Sequence, residues 1–243
     1  MAHEVQGEFV EVEGLRAYMA RPVPDGGTAS NAGILLLPMI TGIGSQVREF
    51  ADMIAARTGA VALSWDPWHG RSSDDTDFDV LHALLDELKD TAAVAEQQTL
   101  LRHLREDLGL ARVGVVGWCL GGRFAFILGG LDRDLANVVA FHPTVPGEPA
   151  PTHTYDSVQL AAEVEAPAFV AYPGKDSIVP RENFLRLQES LQGREHAPTI
   201  IHLYPQAKHG FSDRRRHKEE VNATAFGLSW PQALAFISAT TAP

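Results

Sequence analysis

A series of short, mostly apolar runs limits what this chain can fold into more than any other feature. They are "GILLLP" (Gly33 to Pro38), "AVALSW" (Ala60 to Trp65), "RVGVVGW" (Arg112 to Trp118), "NVVAF" (Asn137 to Phe141), "APAFVAYP" (Ala166 to Pro173) and "TIIHLYP" (Thr199 to Pro205). Each reads as a strand, and the continuous apolar run "GILLLP" is what a strand buried on both faces requires. Helical patterns stand between them: Ser45 to Arg57, Phe78 to Lys89, Ala92 to Leu108, Arg123 to Leu128, Arg181 to Leu191, and Trp230 to Ser238. Strands alternating with helices predict a mainly parallel sheet with helices on both faces. Ahead of this series, "EFVEV" and "LRAYMAR" flank Gly14 and read as a hairpin, followed by a surface loop, "PVPDGGTASNAG". No linker or repeat interrupts the pattern, so one α/β domain is expected over residues 1–243, with no large lid domain.

Composition narrows the function. A formal net charge of -11 opposes nucleic acid as the main partner, because phosphate binding needs a positive surface. One basic cluster, "RRRHK" from Arg214 to Lys218, runs against that balance. The N-terminus shows no basic segment leading into an apolar one, and no run of about 18 apolar residues exists, so neither a secretory signal nor a membrane span is expected. The single cysteine excludes an intrachain disulfide framework or a cysteine-cluster metal site and suits a reducing, cytoplasmic setting.

That one cysteine sits in "VGVVGWCLGGRFAF", Val113 to Phe126. The strand reading ends at Trp118 and the helical reading begins near Gly121, which puts Cys119 on the turn between them. Glycines two positions before and after, Gly117 and Gly121, relieve the crowding of a sharp strand-to-helix turn. Such a turn lifts the Cys119 side chain above the carboxyl edge of the sheet, where ligands bind in open α/β sheets. The helix N-terminus favours thiolate over thiol, and the Leu120 N–H points to where an oxyanion forms. An acid and a histidine are expected later in the chain, in that order and each at a strand end. Asp176 in "FVAYPGKDSIVP" and His209 in "HLYPQAKHGF" meet that expectation. The loop after the first buried strand, "LLLPMITGIG", supplies the second oxyanion donor, Ile40 N–H, with Met39 as the alternative. His142, at the end of "NVVAF", is a candidate for pocket lining.

With "GWCLGG", "GKDSIVP" and "KHGF" in place, the chain resembles the dienelactone hydrolase family of α/β-hydrolases over Gly7 to Ile237. The resemblance implies Cys119 as nucleophile, Asp176 as orienting acid and His209 as base, with no metal or organic cofactor. Bacterial members carry a Glu where this chain has Met39, and an Arg four residues after the histidine where it has Asp213. Their other carboxylate-binding Arg falls in a region that here, Asp75 to Lys89, contains no arginine; Arg71 and Arg214 stand nearest in sequence. Trp68, Trp118 and Phe211 adjoin the site elements, and with Met39 they predict an apolar pocket preferring uncharged esters or lactones. The expected partner is a small-molecule ester or lactone, on a monomer or homodimer. Two other classes compete with a Cys-dependent ester, lactone or thioester hydrolase. A peroxide-reducing or redox-sensing thiol protein is disfavoured because no second cysteine exists to resolve a sulfenic acid. A non-catalytic binding protein on a hydrolase fold has no use for Asp176.

Overall fold

The computed structural model describes residues 3–23 and 31–242; most of the expected "PVPDGGTASNAG" loop, residues 24–30, lies outside them. The expected hairpin is formed by β1 (Val5–Val12) and β2 (Leu15–Pro22), which pair antiparallel. Both turn residues, Glu13 and Gly14, have left-handed backbones, φ 48 and 81, as the tightest two-residue hairpin turn demands. Next come β3 (Ala32–Leu37), α1 (Ser45–Thr58), β4 (Val61–Trp65), α2 (Phe78–Glu87), α3 (Asp90–Arg102), β5 (Arg112–Trp118), α4 (Leu120–Leu131) and β6 (Val138–Phe141). The chain then runs through α5 (Ser157–Glu163), β7 (Ala168–Pro173), α6 (Arg181–Gln192), β8 (Thr199–Tyr204) and α7 (Glu220–Thr241).

These strands make one 8-stranded sheet in the order β1-β2-β4-β3-β5-β6-β7-β8. From β4 to β8 across the sheet every pairing is parallel; β2 meets β4 antiparallel. The period of two in each strand divides the core into two layers. In β3, Leu35 and Leu37 join the layer holding Phe124 of α4, Val94 of α3 and Leu187 of α6. Ile34 and Leu36 join the opposite layer with Phe50 of α1 and Phe226 and Trp230 of α7. Strands sandwiched this way must be apolar at every position, which is why they were visible as continuous runs. This is the α/β-hydrolase architecture.

Three elements differ from the expectation. Helix α4 begins at Leu120, immediately after the cysteine, and not at Arg123. A short helix, α5, lies after the Pro-rich loop that follows β6, "HPTVPGEPAPTHTY" (His142 to Tyr155); its signal is Asp156, whose carboxylate accepts hydrogen bonds from Val158 and Gln159 N–H as an N-cap. The last helix starts ten residues before Trp230, at Glu220, and carries Pro231 inside it. Proline normally marks a first helical turn, so the sequence pointed to a start at the wrong place. On the α4 layer, Arg123 makes a bidentate ion pair with Asp90, the first residue of α3, with both side chains almost fully buried. Among the described residues no helix is long and apolar enough to cross a membrane.

Candidate active site

Strand β5 delivers Cys119 to the carboxyl edge between β3 and β6, and α4 leaves at once. The reversal is tight enough to force Cys119 to φ 52, ψ -112, a region that side-chain-bearing residues avoid at a cost of about 1–3 kcal/mol. A Cβ on Gly117 would collide with the Gly121 carbonyl, and one on Gly121 with the Leu37 carbonyl. The two glycines are therefore steric requirements of this turn. Hydrogen bonds hold it from neighbouring segments: Cys119 N–H to Phe141 O at 3.1 Å, Gly121 N–H to Pro38 O at 3.1 Å, and Thr144 N–H to Cys119 O at 3.0 Å.

Asp176 follows β7. One carboxylate oxygen accepts from Ile178 and Val179 N–H at 2.8 and 2.9 Å. The other lies 2.8 Å from Nδ1 of His209, which follows β8. Both side chains are buried, 1% and 5% exposed, and Nε2 of His209 has no hydrogen-bond partner among the described residues. A backbone-anchored carboxylate thus fixes the imidazole so that Nε2 is the atom free for chemistry.

Cysteine and histidine act on each other's protonation. Burial alone raises the Cys119 thiol, but the His209 charge, the His209 and Thr144 side chains and the Leu120 N–H outweigh it and hold the thiol below its usual value. Burial alone lowers His209, but the Cys119 charge and the Asp176 hydrogen bond outweigh that and raise it. Each group thus favours the charged form of the other. His142 behaves oppositely: burial first, and the His209 charge second, push it well below its usual value, so it stays neutral.

Cys119 and His209 open into a cavity of about 410 Å³, within the range of small-ligand sites. Met39 and Ile40 line it, with Phe78 and Ile178 adding apolar wall. The other expected substrate contacts lie elsewhere. Trp118 is fully buried in the core, stacked on Phe50 at 5.0 Å. Phe211 is also fully buried, against Phe141 and Tyr204. Trp68 sits behind the loop after β3 and donates its indole N–H to the Ile40 carbonyl at 2.7 Å, fixing that loop. His142 is buried beneath the site, with its ring 5.1 Å from that of His209 and Nε2 3.0 Å from Ser212 Oγ. Arg214 turns into a neighbouring depression, where it pairs with Glu49. Neither it nor Arg71 lines the cavity.

The cationic wall comes from the next two residues of the basic cluster. Arg215 lines the cavity but is clasped by Asp213, 2.7 Å away. Arg216 lines it beside Gly210, exposed and without an ion pair among the described residues. Arg214 stood nearest in sequence, but nothing in "RRRHK" reveals that these residues form one tight turn of 3-10 helix, capped by Asp213, with successive side chains about 120° apart. Thr144 was also missed. Its Oγ1 lies 3.5 Å from Cys119 Sγ. The available signal was its place in the loop after β6, beside β5, where a sheet of this kind puts ligand contacts.

The family profile described as "Dienelactone hydrolase family" matches residues 15–241. The chain belongs to the dienelactone hydrolase family. A carboxymethylenebutenolidase of Rhodococcus opacus is 26% identical over 213 residues, covering 86% of this chain and 81% of its own. A carboxymethylenebutenolidase homolog of Xenopus tropicalis is 21% identical over 220 residues, covering 89% and 82%. Among solved structures, a dienelactone hydrolase-type protein of Klebsiella pneumoniae superposes with a TM-score of 0.82 at 22% identity, over 97% of this chain and 99% of its own. As a member of this family the chain is a hydrolase of carboxylic ester or lactone bonds.

Proposed function

We propose that Cys119, His209 and Asp176 form the catalytic triad of this hydrolase and that the reaction passes through a thioester on Cys119. The observation that carries the reading is a cysteine strained into a left-handed turn at a helix N-terminus, beside an imidazole whose other nitrogen is locked by a buried carboxylate. The thiolate attacks the carbonyl carbon, and the carbonyl electron pair moves onto oxygen, held by the Leu120 and Ile40 amides. Collapse expels the leaving oxygen, which takes the proton from His209 Nε2. Water then gives a proton to His209 and adds to the thioester, and the carbon–sulfur bond breaks to restore the thiolate.

The order of losses tests the triad. His209→Ala lowers kcat/KM by about 10²–10⁴-fold, since it removes the group that moves both protons. Asp176→Asn, which keeps the imidazole in place but weakens its charge support and tautomer, costs less. Equal activity of His209→Ala and wild type in a p-nitrophenyl acetate assay rules the triad out.

The substrate class follows from the cavity wall. Trp68, Trp118 and Phe211 do not reach the cavity, so the apolar preference expected from them loses its basis. An exposed, unpaired Arg216 at the wall instead favours a substrate bearing a carboxylate, as the relatives' name implies for them. For a carboxymethylene butenolide, Arg216→Gln raises KM by about tenfold, the worth of one charge-assisted hydrogen bond. For a neutral lactone of similar size the change is smaller. Equal KM changes for the two substrates contradict the assignment.

A further inference from the structure

We propose that Thr144 is a catalytic residue: its hydroxyl donates a hydrogen bond to the Cys119 sulfur, supporting the thiolate at rest and again as it departs from the acyl-enzyme. The proposal rests on Cys119 being the nucleophile. Thr144 Oγ1 lies 3.5 Å from Sγ, within hydrogen-bonding range for sulfur, and its backbone N–H donates to the Cys119 carbonyl at 3.0 Å. The second bond makes the first specific, because it fixes Thr144 to the same residue whose side chain it contacts. No other hydrogen bond competes for Oγ1 among the described residues. The segment carrying it, after β6, is pinned further along where Thr154 and Tyr155 N–H donate to buried Asp90.

Beside the His209 charge, a buried thiolate here gains from such an uncharged donor. Met39 and Ile40 present apolar side chains to the cavity. His209 faces the sulfur from the loop after β8, with Asp176 behind it from the loop after β7. His142 lies beneath His209, and His82, Asp213, Arg215 and Arg216 stand at the cavity wall. Asp213 is engaged by Arg215, which leaves the Thr144 hydroxyl and the Leu120 N–H as the uncharged donors at the sulfur.

The hydroxyl's contribution changes along the reaction. In the resting thiolate–imidazolium pair, Thr144 O–H donates to S⁻. Once the sulfur–carbon bond forms and the leaving oxygen departs with the His209 proton, sulfur is a neutral thioester and a poor acceptor. When water has added and passed its proton to His209, the carbon–sulfur bond breaks and its electron pair returns to sulfur. The Thr144 bond re-forms as that charge develops. Hydrolysis thereby gains a better leaving group in its second half.

The test is the pH dependence of Cys119 alkylation by iodoacetamide, with steady-state p-nitrophenyl acetate turnover, in wild type, Thr144→Val, Thr144→Ala and Thr144→Ser. Two hydroxyl-free variants of different size ensure that a folding defect in one leaves the other readable. The alkylation midpoint rises by about one pH unit in Thr144→Val and Thr144→Ala, as loss of a hydrogen bond to a charged group requires. Their kcat falls several-fold, whereas Thr144→Ser stays close to wild type. A midpoint unmoved in the hydroxyl-free variants, or moved equally in Thr144→Ser, overturns the role of the hydroxyl. Cys119→Ala separates this from the parent reading: undiminished turnover there removes the nucleophile itself, while an inactive Cys119→Ala with unmoved Thr144 variants removes only the threonine.

Discussion

Cys119→Ala is expected to lose ester and lactone turnover by about 10⁴-fold or more while keeping the fold. The loss is large because no other group can replace the sulfur. Among the described residues the side chains at the reacting position are a base already committed to Asp176 and a neutral hydroxyl, and neither is a comparable nucleophile. The fold survives because the turn is built by others. Gly117 and Gly121 remove the steric clashes, and the hydrogen bonds around residue 119 are made by its backbone N–H and carbonyl. Alanine accepts the left-handed φ no worse than cysteine does. The check is turnover beside a melting curve: a variant that melts like wild type and yet hydrolyses at wild-type rate removes Cys119 from the mechanism. Cys119→Ser is expected to be folded and slow. His209 would then have to deprotonate an alcohol, whereas it holds the Cys119 thiol below its usual value.

The sheet and the meeting of Cys119, Asp176 and His209 at one edge were legible in the sequence for one reason. Strands covered on both faces are apolar at every position, and the parallel fold places their following loops along one edge. Three motifs at three strand ends therefore meet in space, and Cys119, Asp176 and His209 could be named from order alone. The pocket wall was not legible, because it depends on which way a side chain leaves its loop. Trp118 and Phe211 adjoin Cys119 and His209 in sequence, but one ends a central strand and the other turns under β8, so both point into the core. One residue separates His142 from Thr144; the first goes below His209 and the second to the sulfur. Backbone direction decides these cases, and His142 itself has a left-handed φ of 37 that no sequence period reports.

The largest expected effect on stability lies beneath Cys119, at Asp90 and Arg123. The pair is buried to 1% and 2% exposure and bidentate, with both contacts at 2.7 Å. Asp90 also accepts from Thr154 and Tyr155 N–H, and Arg123 donates to the Tyr155 carbonyl at 3.0 Å. One carboxylate thus ties together the start of α3, the helix that carries the nucleophile at its N-terminus, and the chain entering α5. Asp90→Asn keeps the shape and an acceptor for the backbone donors but leaves the guanidinium buried without a counter-charge. Breaking one side of such a pair costs about 3–5 kcal/mol, on the order of 10 °C in Tm for a chain this long. The effect has a pH signature. Burial works to raise the Asp90 carboxyl, but Arg123 and the Tyr155 and Thr154 amides outweigh it and hold it below the usual range. A lowered folded value means that the carboxylate's contribution is complete above the unfolded value of about 3.9 and is lost as pH falls through the folded one. The gap in Tm between wild type and Asp90→Asn should therefore be full at neutral pH and narrow as the solution is taken below about pH 4. Melting curves of the two proteins across that range provide the measurement. A small gap at neutral pH, or one that does not change with acid, shows that the pair does not hold the nucleophile helix in place.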